Sequence, residues 1–470
     1  MSCWTRSAWS VRRLLGPRVK SRLGTVAQLG KFQCLDWHIV KSLQAVSHSN
    51  ATTVPLAATE VTGLASSHPS PLAYLRHGLS QLFHGERFKW QVQRKAAKAW
   101  QDLPPVDLVI GHDVFGLPAA RAMAEHFGAP LVCDLVETVR MQERSGQYYR
   151  TMPRWGQDVL DQRHRRIIKN ANCLWTVGPS LADHLAEQLG VPRPGVLPNS
   201  HSLQSRQLPQ NSGDDAPSAR RQDGLTRLAY VNLLAPGYML DQLLDVLARV
   251  KNDPAQVGTC ELLLIGKFTD QQFEAEFWER ARRLDVAQMI EYHQPMEWTR
   301  FIDVLATADL GLILLDPAIA NFQLALPNRY FDFLSAGLPM ISTRVSDIAR
   351  FAEQIGHVAL IDEMSADALH QCLGDLLATG EIASMSQQVS KARQSLDWQQ
   401  AFERVLSHLE DRHGLGAHVA IVARKDLSTN RRVAAQAQSL RQRGIDVTCL
   451  FQLPDLSLKT SSNLTSADTI

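Results

Sequence analysis

Apolar residues fall along this chain in short runs of strand length, separated by stretches with helical spacing. Val106–Ile110 (VDLVI) reads as a buried strand, and Leu117–Phe127 (LPAARAMAEHF) as a helix of good formers that Gly128 ends. Pro130–Cys133 starts the next strand, and Arg163–Asn170 leads into another at Cys173–Val177. Ser180–Leu189 forms a helix closed by Gly190, and Val196–Leu197 begins a short strand. The logic then repeats, with strands expected at Leu228–Asn232, Glu261–Ile265, Met289–Tyr292, Leu310–Leu314, Met340–Ser342 and Val358–Ile361, and helices between them. Buried strands alternating with helices predict parallel sheets covered on both faces.

Leu203–Gly224 is polar and rich in Ser, Gln, Arg and Pro, so it cannot bury a core and reads as a linker. It separates a first lobe at 24–202 from a second at 225–410. The expected fold is α/β, two doubly wound Rossmann-like lobes with a cleft between the carboxyl ends of their sheets. The tail carries one more βαβ pattern: a strand at His418–Val422, a helix at Arg432–Arg443 and a strand at Ile445–Phe451. Alone, such a unit has no layer to pack on. Residues 416–470 are therefore expected to be a C-terminal βαβ fragment, the start of a second N-lobe, in a chain cut from a longer tandem protein. A similar pattern fits 24–57, with Gly24–Leu29 as strand, Asp36–Val46 as helix and Thr53–Ala57 as second strand.

Composition narrows the picture further. Across 470 residues, 49 Lys+Arg stand against 47 Asp+Glu, so bulk electrostatic grip on nucleic acid is not expected. The seven cysteines form no CxxC pair, which points away from a disulfide framework or zinc site and toward a reducing, cytoplasmic location. Apolar runs such as Leu310–Leu315 are far short of the ~20 residues a membrane-spanning helix needs. No acidic residue precedes Asp36, whereas Arg6, Arg12, Arg13, Arg18, Lys20, Arg22 and Lys31 are basic. The extension at 1–23 thus fits a transit peptide, a peripheral contact with anionic membrane, or a plain unstructured start.

Chemistry concentrates in Leu326–Pro339 (LPNRYFDFLSAGLP). Pro327–Asn328 breaks the chain before a helix that Gly337 terminates. On that helix Asp332 can accept hydrogen bonds from a sugar diol, Arg329 offers a fork for phosphate or carboxylate, and the first amides, from Asn328 onward, can receive an anion. A capped surface helix before a buried strand accounts for the same pattern.

This stretch resembles the donor-site segment of family-four-like (group 1) glycosyltransferases of GT-B fold, where relatives read like LPNKLFEYLAAGLPVV. Further segments are similar in the same order: Val106–Gly116 (VDLVIGHDVFG) to a "DVIHAHDxxG" strand and loop, and Ala171–Ser180 (ANCLWTVGPS) to "ADxVITVSxxL". Pro198–Asn199 is similar to "VxPNG", and Ala308–Leu315 (ADLGLILL) to "ADVGLxPL". In the tail, Asn430-Arg431-Arg432-Val433 resembles the "DxRV" entry of another such N-lobe. The resemblance implies a metal-independent transfer of a sugar from a nucleotide-diphosphate donor, bound by the second lobe, to a glycan or lipid-linked acceptor held by the first. No cofactor is implied; the nucleotide-sugar is a co-substrate. The donor residues would be Gly237, Gly266, Lys267, Asn328, Arg329 and Asp332, the last where the family has a ribose-binding Glu. His112, Asp113 and Glu137 would line the acceptor side, where a carboxylate or histidine can orient a hydroxyl.

The departures from that pattern matter as much. The family's phosphate-gripping loop usually holds an Arg and a Lys, as in "GRLxxxKG"; here Leu233 and Tyr238 occupy those positions. Losing a charge-assisted contact costs about 1.5–3 kcal/mol each. Val136 stands where the family often has a histidine. Two readings therefore stay open: an active transferase, or a catalytically degenerate relative with a binding or scaffolding role. An epimerase on a similar fold would want a catalytic His/Glu signature that the sequence lacks.

Overall fold

The computed structural model describes residues 100, 103–137, 154–200, 225–236, 238–253, 260–324, 326–423, 430–452 and 458–461. The basic extension at 1–23, the pattern at 24–57, the linker at 203–224 and Gly237 lie outside the described residues. In chain order, the first lobe contains β1 (Leu108–His112), α1 (Asp113–Phe127), β2 (Leu131–Leu135), α2 (Arg154–Lys169), β3 (Cys173–Thr176), α3 (Pro179–Leu189) and β4 (Gly195–Val196). The second lobe opens with β5 (Thr226–Leu234), α4 (Leu240–Asn252), β6 (Cys260–Phe268), α5 (Gln271–Arg283), β7 (Ile290–His293) and α6 (Trp298–Leu305). It continues through β8 (Leu310–Ile313), α7 (Ala320–Gln323), α8 (Asn328–Ala336), β9 (Met340–Thr343), α9 (Ser346–Ile355), β10 (Val358–Ile361), α10 (Ala366–Thr379) and α11 (Glu381–Ser395). The chain then runs through α12 (Trp398–His413), β11 (His418–Ala423), α13 (Arg431–Gln442), β12 (Asp446–Gln452) and β13 (Leu458–Ser461).

The second sheet is parallel throughout, in the order β10-β9-β8-β5-β6-β7. Its central strands are buried on both faces. Leu228, Leu262 and Leu310 pack with Leu243 and Leu247 of α4 on one side, while Ala229, Leu263 and Ile313 pack with Phe333 of α8 and Ile348 of α9 on the other.

The first sheet runs β13-β12-β11-β1-β2-β3-β4, parallel except where β13 returns antiparallel to β12. All residues of β1 and β2 are buried, which requires apolar cover on each face. Leu117, Met123, Leu181 and Leu185 from α1 and α3 supply one face. The other is supplied from the far end of the chain, by Trp398, Phe402 and Leu406 of α12 and by Val433, Ala437 and Leu440 of α13.

Two expected boundaries are corrected by this packing. The second lobe does not extend to 410, because α12 lies in the first lobe's core against Leu108, Ile110 and Trp175. Nor does the βαβ unit at 416–470 stand apart as the opening of a second N-lobe. Its strand β11 pairs in parallel with β1, Leu108 opposite Val419 through Gly111 opposite Val422, and completes the first sheet. Asp107 N donates to the His418 carbonyl and His418 N donates to Asp107 Oδ2, both at 2.9 Å. Gly116 of α1 shows how close the approach is: a Cβ there would lie 2.6 Å from the Val422 carbonyl oxygen. The physical reason is simple. Buried β1 needs a neighbour on its open edge, and β11 carries the apolar strand that fits it.

Candidate active site between the lobes

The turns at the carboxyl ends of the two sheets meet across a seam. Ser180, in the first turn of α3, donates from its backbone N (2.9 Å) and its Oγ (2.6 Å) to Asp347 Oδ1 of α9, so a carboxylate of one lobe caps a helix of the other. Asn199 Nδ2 donates to Asn328 Oδ1 at 2.8 Å, and Asn321 Nδ2 donates to Glu137 Oε2 at 3.3 Å. Arg431 Nη1 stands 3.7 Å from Asp332 Oδ1.

On the first-lobe side the organising group is Asp134, at the end of β2 and wholly buried. Its Oδ1 accepts from Arg432 Nη2 at 2.5 Å, and its Oδ2 accepts from Arg432 Nε and Gln436 Nε2, each at 2.8 Å. His112 Nδ1 lies 3.0 Å from the same Oδ2. Burial alone would raise this carboxyl, but the charge and hydrogen bonds of Arg432 outweigh it and hold the group well below the usual carboxylate range. Arg432 Nη1 also donates to the Leu197 carbonyl (2.6 Å) and to Asn199 Oδ1 (2.9 Å). One guanidinium therefore ties β2 to the Pro198–Asn199 turn, and Asn199 passes the connection to the second lobe.

Beside this cluster, two carboxylates come together. Asp113 begins α1 with φ of 57°, a left-handed backbone uncommon outside glycine, and its Oδ1 accepts from Val114 N at 2.7 Å. Glu137 is pushed up to about 7 by burial and by the nearby charge of Asp113, against the opposing hydrogen bond from Asn321. A carboxyl raised by burial next to a second carboxyl is an arrangement that suits acid–base chemistry.

On the second-lobe side, α8 carries the groups. Arg329 is partly buried, donates from Nη1 to the Val231 carbonyl at 3.3 Å, and has its pKa lowered by burial. Asp332 is 6% exposed, and burial pushes it up to about 6 although Arg431 and Arg329 pull the other way. Arg431 also lies over the Trp298 ring, 5.6 Å from its centroid.

Residues 43–200 match the family model described as a glycosyl transferase 4-like domain. Among solved structures, the chain is similar to sucrose-phosphate synthase from Thermosynechococcus elongatus, with a TM-score of 0.52 and 12% identity over 67% of this chain and 76% of that one. It is also similar to Anabaena Alr3699/HepE, solved in complex with UDP-glucose, with a TM-score of 0.50 and 14% identity over 67% of this chain and 82% of that one. A search of the curated proteins finds no match. Among the described residues the fold is GT-B, two α/β lobes meeting at the carboxyl ends of their sheets.

Within this glycosyltransferase-like frame the expected residues separate into those at the seam and those elsewhere. Asp113, Glu137, Asn328, Arg329 and Asp332 lie at or beside it. His112 is 7% exposed, and its Nδ1 lies 3.0 Å from Asp134 Oδ2. Gly266 has a packing role in the structure. A Cβ there would sit 2.0 Å from the Asn232 carbonyl oxygen, so the glycine serves the close packing of β6 on β5. Lys267 is exposed near the end of β6, in register with Leu233. Reading the sequence missed Arg432, Gln436 and Asn321 as site groups. The signal available for the first two was a charged and an amide residue one helical turn apart on an otherwise apolar face.

Glu137 gives a pH test. Between about pH 4.5 and 7 the folded protein keeps a proton on this group that the unfolded chain has released, so folding stability falls as pH rises through that window and levels off above it. Glu137→Gln removes this component. Urea unfolding across the window is expected to show a shallower decline for the variant than for the wild type.

Proposed function

We propose that the chain transfers a sugar from a nucleotide-diphosphate donor, seated on the second lobe, to a glycan or lipid-linked acceptor held by the glycosyl transferase 4-like lobe. The observation that carries this reading is Asp332, a buried carboxylate on α8 flanked by Arg329 and Arg431 where the two lobes meet. Asp332 would take the ribose diol, Arg329 and the amides opening α8 would face the diphosphate, and preorganised positive groups of this kind stabilise a departing diphosphate. Asp113 and Glu137 would orient the acceptor hydroxyl and receive its proton. The chemistry asks for no cofactor, since the donor is already activated. The similar Alr3699/HepE structure holds UDP-glucose, which makes that sugar nucleotide the first to try.

A second reading, a degenerate transferase that binds but does not turn over, is favoured by the loop after β5. Leu233 stands 51% exposed where a cation is expected, and Tyr238 takes the other cation position. Release of free nucleoside diphosphate, measured over a panel of nucleotide-sugars with glycan and lipid acceptors, separates the two. The transferase reading expects release that Asp332→Asn reduces at least tenfold. Binding without release from any donor would establish the degenerate reading.

A further inference from the structure

We propose that Arg431, delivered by the carboxyl-terminal unit, is a donor-binding residue that engages the diphosphate and takes over from the cations missing in the loop after β5. This rests on the donor reading above and extends it to a residue of the opposite lobe. Arg431 is the first residue of α13, in the unit that completes the first sheet, yet its guanidinium reaches the second lobe. There it lies over the indole of Trp298, which opens α6, and 3.7 Å from Asp332, which projects from α8. That separation exceeds hydrogen-bond length, and buried Nη1 has no hydrogen-bond partner. A guanidinium nitrogen withdrawn from water without an acceptor is unfavourable, and a ligand oxygen would supply one.

The charges support an anion in that place. Asp332 contributes one negative group, Arg329 and Arg431 two positive ones, so the cluster carries a net positive charge when all three are ionised. A diphosphate complements it, and Arg is well suited to phosphate oxygens through its planar fork. The neighbour Arg432 is fully committed to Asp134, Leu197 and Asn199, which fixes the start of α13 and holds Arg431 at the seam. Because Arg431 approaches from the first lobe while Arg329 belongs to the second, the diphosphate would be gripped from both sides, and donor affinity would depend on the docked tail.

Isothermal titration of the full chain tests this, with UDP and uridine as probes against wild type, Arg431→Ala and Arg431→Lys. Removing the guanidinium should weaken UDP at least tenfold, lysine should restore part of the loss, and uridine, which lacks phosphate, should bind all three alike. Unchanged UDP affinity in Arg431→Ala would overturn the assignment, as would an equal loss for UDP and uridine. Thermal melts of the free variants check that the fold is kept, as expected for a side chain 40% exposed. A wild type that binds no nucleotide defeats the donor reading itself; a wild type that binds while Arg431→Ala matches it defeats the Arg431 assignment alone.

Discussion

Arg432→Ala is expected to destabilise the first lobe by about 3–5 kcal/mol, the usual result of removing one partner from a buried ion pair. The substitution leaves Asp134, with no solvent access, without its cation, and frees the Pro198–Asn199 turn that links the lobes. Urea unfolding should show the loss at neutral pH. The sign of the pH dependence is fixed as well. Asp134 is held below its ordinary value in the folded state, so the pair's contribution is present above the unfolded carboxylate pKa and disappears as pH falls toward the folded one. The difference between wild type and variant should therefore shrink in acid. Arg432→Lys, which keeps charge but loses the fork, should recover only part of the stability.

A larger effect is expected from removing residues 416–470. Val419, Ile421, Val433, Leu440, Val447 and Leu450 are all buried within the first lobe. At about 1.5–3 kcal/mol for each large side chain, their loss amounts to on the order of ten kcal/mol, comparable to the whole stability of an ordinary domain. The deletion also exposes the edge of β1 and the apolar faces of Leu108 and Ile110. Hydrogen exchange on the shortened chain should show rapid exchange through 103–200 and retained protection through 225–396, whose sheet has cores of its own. Protection of β1 and β2 equal to that in the full chain would refute the tail's structural role.

These two results turn on contacts that local pattern could not reveal. Strands were legible because buried parallel strands are nearly continuous apolar runs: Val358–Ile361 is observed where it was expected, and Leu228–Asn232 lies inside β5. The tail's own strand, helix and strand were equally legible. What they pair with was not, since parallel partners lie far apart in sequence and nothing in His418–Ala423 names β1. The same limit applies at the site. Asp332 and Arg329 could be read from the helix that carries them, whereas Asn321 against Glu137 and Arg432 against Asp134 exist only once the topology brings distant turns together. His112 is a related case: its place at a strand end was legible, whereas the buried carboxylate of Asp134 that holds its Nδ1 was not.

The central claim is that the cleft recognises an activated sugar through the phosphate-bearing end of its nucleotide. Calorimetric titration of the full chain with UDP-, GDP- and ADP-sugars tests it most directly. The account predicts saturable one-to-one binding of at least one nucleotide class at millimolar concentration or below, without added metal. Failure of every donor to bind at that concentration would contradict it.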